Sequence, residues 1–270
     1  MSRAATEIDR LVGIMKKLRS EAGCPWDKQQ DIRSLRPYLI EEAYEVLEQM
    51  DAVAAGGSFM PLRDELGDLL FQIVFHAQLA SEAGEFELAD IIQAIADKIE
   101  FRHPHVFGDQ KAADATEVAG RWVRLKAEER RRKTGRPGSV IDGVPKEAPA
   151  LMRAERLTEK ASRVGFDWKR LEEVRAKLDE ELAELDEAIA GGESRRVEEE
   201  LGDVLFALAN LGRFVEVHPE DALRGTIDRF IARFHFIEER LRERGLEPAD
   251  VTLEEMDGLW DEAKTRAKQA

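Results

Sequence analysis

The sequence predicts an all-α protein made of two tandem helical-bundle modules joined by an irregular linker. Three observations predict it. Apolar residues recur at spacings of three and four along most of the chain, the period of a helix that buries one stripe. No segment sustains the strict alternation of a half-buried strand in either half. The heptapeptide ELGDLLF at Glu65–Phe71 returns as ELGDVLF at Glu200–Phe206, so one plan is written twice.

The elements follow in order. Ile8, Leu11, Val12, Met15 and Leu18 form one stripe of a first helix, and CPWD at Cys24–Asp27 breaks the pattern. Ser34 is a candidate N-cap for a second helix with Pro37 in its first turn, running to about Ala55 and ended by AGGS. A third starts near Pro61 and carries Leu66, Leu69, Leu70, Ile73, Val74 and Leu79. A fourth covers about Glu87–Arg102 and stops at Pro104, which cannot continue it. A fifth is expected over about Glu117–Arg132. The stretch RRRKTGRPGSVIDGVPKEAP, rich in Gly, Pro and charge, has no helical period and reads as a linker. Modules at 1–132 and 150–270 flank a linker at 133–149. In the second, helices are expected over about 150–164, 171–190, 195–217, 219–244 and 253–267, with GFDW standing where CPWD stood.

Composition narrows the function. The 270 residues are 43% hydrophobic and 36% charged, enough for a sizeable core in a soluble, helix-rich chain. The net charge of −15 repels nucleic-acid phosphates. Free nucleotides stay admissible, because a bound cation inverts the local field. Cys24 is the single cysteine, which fits a reducing cytoplasm. No apolar stretch is long enough for a membrane span, and the N-terminus has no signal-peptide core.

Chemistry concentrates in the carboxylates. Glu42 and Glu45 are three apart and share a helix face, as do Glu65 and Asp68 on the next helix. Glu181 and Glu184, then Glu200 and Asp203, repeat the arrangement. A short connection makes the two helices of each module antiparallel neighbours, so the pairs can meet. Glu172, Glu173, Asp186 and Glu187 read instead as a solvated face. The helices of Glu65 and Glu200 are apolar nearly all round, which predicts burial. One stripe runs on from Asp203 through Ala207 and Asn210. Four close carboxylates repel, and a hard divalent cation relieves them. Oxygen-only donors suit Mg²⁺ or Mn²⁺. A di-iron site fits poorly: Glu100–His103 is one Glu-x-x-His string, but the matching positions of the second module hold Ile231 and Phe234. Lys98 and Arg102 are four apart, as are Arg229 and Arg233, while Trp122 and Lys126 recur as Trp260 and Lys264. Cation pairs beside a metal suggest a phosphate clamp.

CPWDKQQDIRSLRPYLIEEAYEVLE, RDELGDLLFQIVFHA, HPHVFGD and RWVRLKAEER resemble the MazG family of nucleoside triphosphate pyrophosphohydrolases. GFDW, DEELAEL, EEELGDVLF, RFIARF and MDGLWDEAK extend the resemblance across the second half. It implies tandem all-α modules assembled as a homodimer, and Mg²⁺-dependent cleavage of ribo- and deoxyribonucleoside triphosphates to monophosphate and pyrophosphate. It implies metal ligation by Glu181, Glu184, Glu200 and Asp203, with Glu42, Glu45, Glu65 and Asp68 in the first module. Nucleotide contacts fall to Lys177, Arg229, Arg233, Trp260 and Lys264, with Lys98, Arg102, Trp122 and Lys126 as counterparts. Where the family often has Thr-His after CPWDxxQ, this chain has Asp31 and Ile32. Glu180 or Glu41 is the expected carboxylate that orients the attacking water, and Trp260 or Trp122 is placed to stack on the base, a contact that reads no base edge and so predicts broad base specificity. A non-catalytic partner-binding protein and a pyrophosphohydrolase of another nucleotide derivative are the alternatives.

Overall fold

The computed structural model describes residues 2–108 and 138–267, with residues 114, 117, 118, 120, 125 and 135 between them. Among the described residues there is no strand. The expected helix near Glu117–Arg132 falls almost wholly outside them, and Trp122 and Lys126 lie outside. The chain divides into two compact units, residues 1–129 and 130–270.

The first unit contains α1 (Arg3–Arg19), α2 (Pro25–Gln29), α3 (Arg36–Ala54), α4 (Phe59–Glu82), α5 (Leu88–Arg102) and α6 (Pro104–Phe107). Ser2 caps α1 by accepting the Ala5 N–H, Ser58 caps α4, and Glu87 and Asp90 form a capping box on α5. CPWD does not simply interrupt the helices. It forms α2, with Pro25 in the first turn, where a missing N–H costs nothing. Ser34 does not cap α3 either: its hydroxyl accepts the Asp31 N–H and reaches Gln30 Oε1, and Leu35 is the residue before the helix. Asp31 instead closes this turn, its Oδ1 accepting the N–H groups of Arg33 and Ser34 at 2.8 Å. Those bonds hold its carboxyl below the usual carboxylate range. The long helices α3 and α4 pair, and α1 lies along α4. Met15, Leu35, Val74 and Phe75 form the buried centre of the unit. Arg19 ties α1 to the CPWD turn and to α4. It donates to the carbonyls of Asp27 and Gln30 and, from Nε and Nη2, to Glu82.

The second unit contains α7 (Ala150–Ser162), α8 (Leu171–Gly191), α9 (Ser194–Phe214), α10 (Pro219–Glu243), a 3₁₀ turn at Pro248–Asp250, and α11 (Leu253–Ala267). Residues 138–149, in the expected linker, hold no helix. Gly192 ends α8 at φ 70°, ψ 19°, left-handed backbone that a side chain would resist, and α9 returns beside α8 at once. α7 packs on α9, and α10 pairs with α11. Leu178, Val204 and Ala207 centre the α8–α9 core. Ile237, Leu241 and Leu259 centre a second core between α10 and α11.

The expected burial of α4 and α9 fails on one side of each. Leu66, Leu70 and Ile73 stay half-exposed, as do their counterparts Leu201, Leu205 and Leu208. Each stripe is spaced i, i+4, i+7, one apolar seam per helix. α4 and α9 each bury the face toward the partner helix and present a second apolar face outward.

Candidate metal centre and nucleoside cavity

Two acidic clusters form where α3 meets α4 and where α8 meets α9. Glu42, Glu45 and Glu65 offer carboxylate oxygens that all lie within 4.8 Å of one another, and so do Glu181, Glu184 and Glu200. The Glu-x-x-Glu spacing sets two carboxyls on one helix face, and the antiparallel return brings the third across. Asp68 and Asp203 do not join these triplets; both are exposed at the margin.

The crowding marks the acids themselves. Burial, then the charges of Asp68 and Glu45, push the Glu42 carboxyl up. Burial, then Glu45 and Asp68, raise Glu65 as well. In the second unit burial followed by Glu181 and Glu200 raises Glu184. Gln72 is buried beside Glu42, and its Oε1 has no hydrogen-bond partner. Glu181 is the buried member of the second cluster, 7% exposed. Lys177, one turn earlier, donates from Nζ to Glu181 at 2.8 Å and to Glu180 at 2.7 Å. These two bonds raise the ammonium's pKa. Arg196 reaches Glu200 at 3.5 Å. The donor set is all oxygen and anionic, which suits a hard divalent cation.

A cavity of about 610 Å³ opens from the second cluster. Lys177, Glu181 and Asp203 line one end. Phe166, Trp168, Phe206 and Ala207 give it apolar walls, and Asp167, Asn210 and Arg213 a polar far end. The composition, mostly apolar with a few convergent polar groups, is that of a small-molecule site.

The remaining expected residues fall elsewhere. Glu41 and Glu180 are exposed on their helices. Lys98 and Arg102 are partly buried on α5. Arg229 bonds Thr226 on its own helix, and Lys264 pairs with Asp261 at 2.9 Å. Arg233 stacks over the Trp260 ring, 5.3 Å from its centroid, and Phe230 lies at the same distance from that ring. Trp260 therefore packs within the α10–α11 hairpin, against the Leu259 core. Neither α10 nor α11 contributes to the cavity lining. Sequence reasoning missed Phe166, Asp167, Trp168 and Arg213 as wall residues. The available signal was the stripe from Asp203 through Ala207 to Asn210, two polar residues on one line through the apolar part of a helix.

The sequence profile of the MazG nucleotide pyrophosphohydrolase domain matches residues 30–107 and 169–235, one segment per unit. The chain belongs to the MazG family. A nucleoside triphosphate pyrophosphohydrolase of Escherichia coli is 45% identical over 263 residues, covering 96% of this chain and 97% of the relative. A nucleoside triphosphate pyrophosphohydrolase/pyrophosphatase of Thermotoga maritima is 43% identical over 265 residues, 98% of each chain. A shorter match, 40% over 157 residues, is to a nucleoside triphosphate pyrophosphohydrolase of Mycobacterium tuberculosis, covering 57% of this chain and 45% of that one. The MazG segments contain both acidic clusters, together with Lys177 and the Asn210–Arg213 end of the cavity.

Proposed function

We propose that the chain hydrolyses nucleoside triphosphates to the monophosphate and pyrophosphate with Mg²⁺, and that the catalytic centre is in the second unit. One observation carries this: the acidic triplet Glu181, Glu184 and Glu200 shares Glu181 with a cavity large and apolar enough for a nucleoside. The base would lie among Phe166, Trp168 and Phe206, with the triphosphate leading to the acids. In the first unit the corresponding positions carry bulkier side chains. Aligning the repeated heptapeptides puts Phe75, 1% exposed in the core, where the second unit has Asn210. With Glu42 set against Glu181, Tyr38 stands where Lys177 stands; in the heptapeptide alignment Gln72 stands where Ala207 leaves room.

Magnesium, when held by Glu181, Glu184 and Glu200 with Asp203 at the margin of the cluster, supplies Lewis acidity toward the phosphate oxygens and acidifies the attacking water. Lys177 remains protonated and offers a charge-assisted donor to the polyphosphate. Glu180, held by Lys177, orients the water and takes its proton. The P–O bond of the α–β anhydride breaks and pyrophosphate leaves with the bridging oxygen. Arg229, Arg233 and Lys264 of the second unit, with Lys98, Arg102 and Lys126 of the first as counterparts, are the proposed phosphate contacts, and Trp122 is the proposed base contact of the first unit; Trp260 is taken up by its own hairpin. Ala207 beside the sugar offers no partner to a 2′-hydroxyl, so ribo- and deoxyribonucleotides are both accepted.

The chain acts as a homodimer in this proposal. The half-exposed stripes Leu66–Leu70–Ile73 and Leu201–Leu205–Leu208 support it, since a seam of this spacing is what a second helix pair covers. No helix of the described residues is long and apolar enough to cross a membrane. The test is a panel of ribo- and deoxyribonucleoside triphosphates with and without Mg²⁺, scored by phosphorus NMR. Monophosphate and pyrophosphate are the expected products, whereas release of orthophosphate would overturn the assignment.

A further inference from the structure

The polar end of the cavity has no role in the chemistry above, yet it is built with care. Arg213 donates from Nη1 to Asp167 Oδ2 at 2.9 Å, and its Nη2 bonds Asp167 Oδ1, a forked pair. Its Nη2 and Nε also donate to Asn210 Oδ1, at 3.0 and 3.3 Å. The Trp168 backbone N–H donates to Asp167 Oδ1 at 2.9 Å.

This network fixes what Asn210 can offer. A guanidinium has only donors, so the amide oxygen must face Arg213 and Nδ2, with two N–H groups, must face away. Asp167 Oδ1 is saturated by Arg213 and Trp168, while Oδ2 keeps one lone pair. Arg213 Nη1 keeps one N–H. Within this network three N–H groups are left over, two on Asn210 and one on Arg213, against one acceptor position on Asp167 Oδ2.

Its distance from the acids is also set. Asn210 stands seven residues beyond Asp203 on α9, about 10.5 Å along the helix axis at 1.5 Å per residue. That span suits a nucleoside 5′-phosphate whose phosphorus is held at the acids, since the far edge of its base then reaches Asn210.

We infer that Asn210, fixed by Arg213 and Asp167, reads the base edge: Nδ2 donates to a ring carbonyl while Asp167 Oδ2 accepts the adjoining ring N–H. The site then prefers lactam bases (guanine, hypoxanthine, uracil, thymine) over amino bases (adenine, cytosine). A carbonyl supplies lone pairs to the donors, whereas an exocyclic amine confronts donors with donors. The inference rests on the second-unit active site proposed above.

Steady-state kinetics on GTP, ITP and UTP against ATP and CTP test it, with wild type, Asn210→Leu and Asn210→Asp. Wild type is expected to favour the lactam group roughly tenfold in kcat/KM, the worth of one added hydrogen bond. Asn210→Leu keeps the shape, loses the donor, and brings the ratio close to one through KM. Asn210→Asp exchanges donor for acceptor and turns the preference toward the amino bases. A wild-type ratio within twofold of one, or variants that slow every base equally, would overturn the inference. Calorimetric binding of GMP against AMP reads the same preference without turnover. A chain that binds GMP over AMP but cleaves no triphosphate would therefore refute the proposed activity and leave the base reader standing.

Discussion

Replacing Glu181 by Gln removes one charge from the second cluster while keeping the side chain's shape. Two consequences oppose each other in the metal-free protein. The pair with Lys177 is lost, but that lysine is 35% exposed and such pairs contribute about 0.2–1 kcal/mol. Repulsion on Glu184, to which Glu181 contributes the largest charge effect, is relieved at the same time. The metal-free Tm should therefore move by no more than about 4 °C, at 2–4 °C per kcal/mol for domains of 150–250 residues. The metal-bound protein behaves differently. An ion at a hundredfold its Kd stabilises the fold by about 2.7 kcal/mol, or roughly 5–11 °C. Measured in a Glu42→Gln background, so that only the second cluster responds, that Mg²⁺-dependent rise should collapse on adding Glu181→Gln. Pyrophosphate release should fall by about 10²–10³, the cost of removing one group that stabilises transition-state charge. A Mg²⁺-dependent rise that survives, together with turnover within twofold of the parent, would refute the reasoning.

Asp203→Asn should abolish most pyrophosphate release, while Asp68→Asn leaves at least half, because the first unit has the buried Phe75 where the second has Asn210; equal losses would make both centres catalytic. Glu82 is held below its ordinary value of 4.5, chiefly by the hydrogen bonds from Arg19. A depressed carboxyl stabilises the fold above its unfolded pKa, and the benefit disappears as pH falls through the folded pKa. Glu82→Gln should thus lower Tm at pH 7 and converge with wild type as pH drops below 4.5, which a Tm-against-pH series will show. Leu201→Glu with Leu205→Glu charges the exposed seam of α9, and light scattering should find the mass shifted toward the monomer; an unchanged mass would place the dimer contact elsewhere.

Much of this molecule is legible from local pattern. Glu42 and Glu45, and Glu181 and Glu184, converge because three residues is nearly one helical turn, a fact of spacing alone. Gly192 and Pro219 bound α8 and α10 where backbone chemistry requires. Legibility ends where contact depends on distant parts of the chain. The Arg213–Asp167 fork closes across 46 residues, and no periodicity announces it. Trp260 recurs beside Lys264 in a pattern that suggests a ligand contact, yet its ring spends its face on Arg233 and Phe230 within its own hairpin. The seams on α4 and α9 look in sequence like core. They remain half-exposed in the chain, because an apolar stripe specifies burial without saying whose surface completes it.

Anomalous scattering from crystals grown with Mn²⁺ and a non-hydrolysable α,β-methylene triphosphate tests the metal centre most directly. The expected result is a peak roughly 2.1 Å from carboxylate oxygens of Glu181, Glu184 and Glu200, with the nucleoside in the cavity beyond. A bound nucleotide with no peak at those three glutamates would contradict the account.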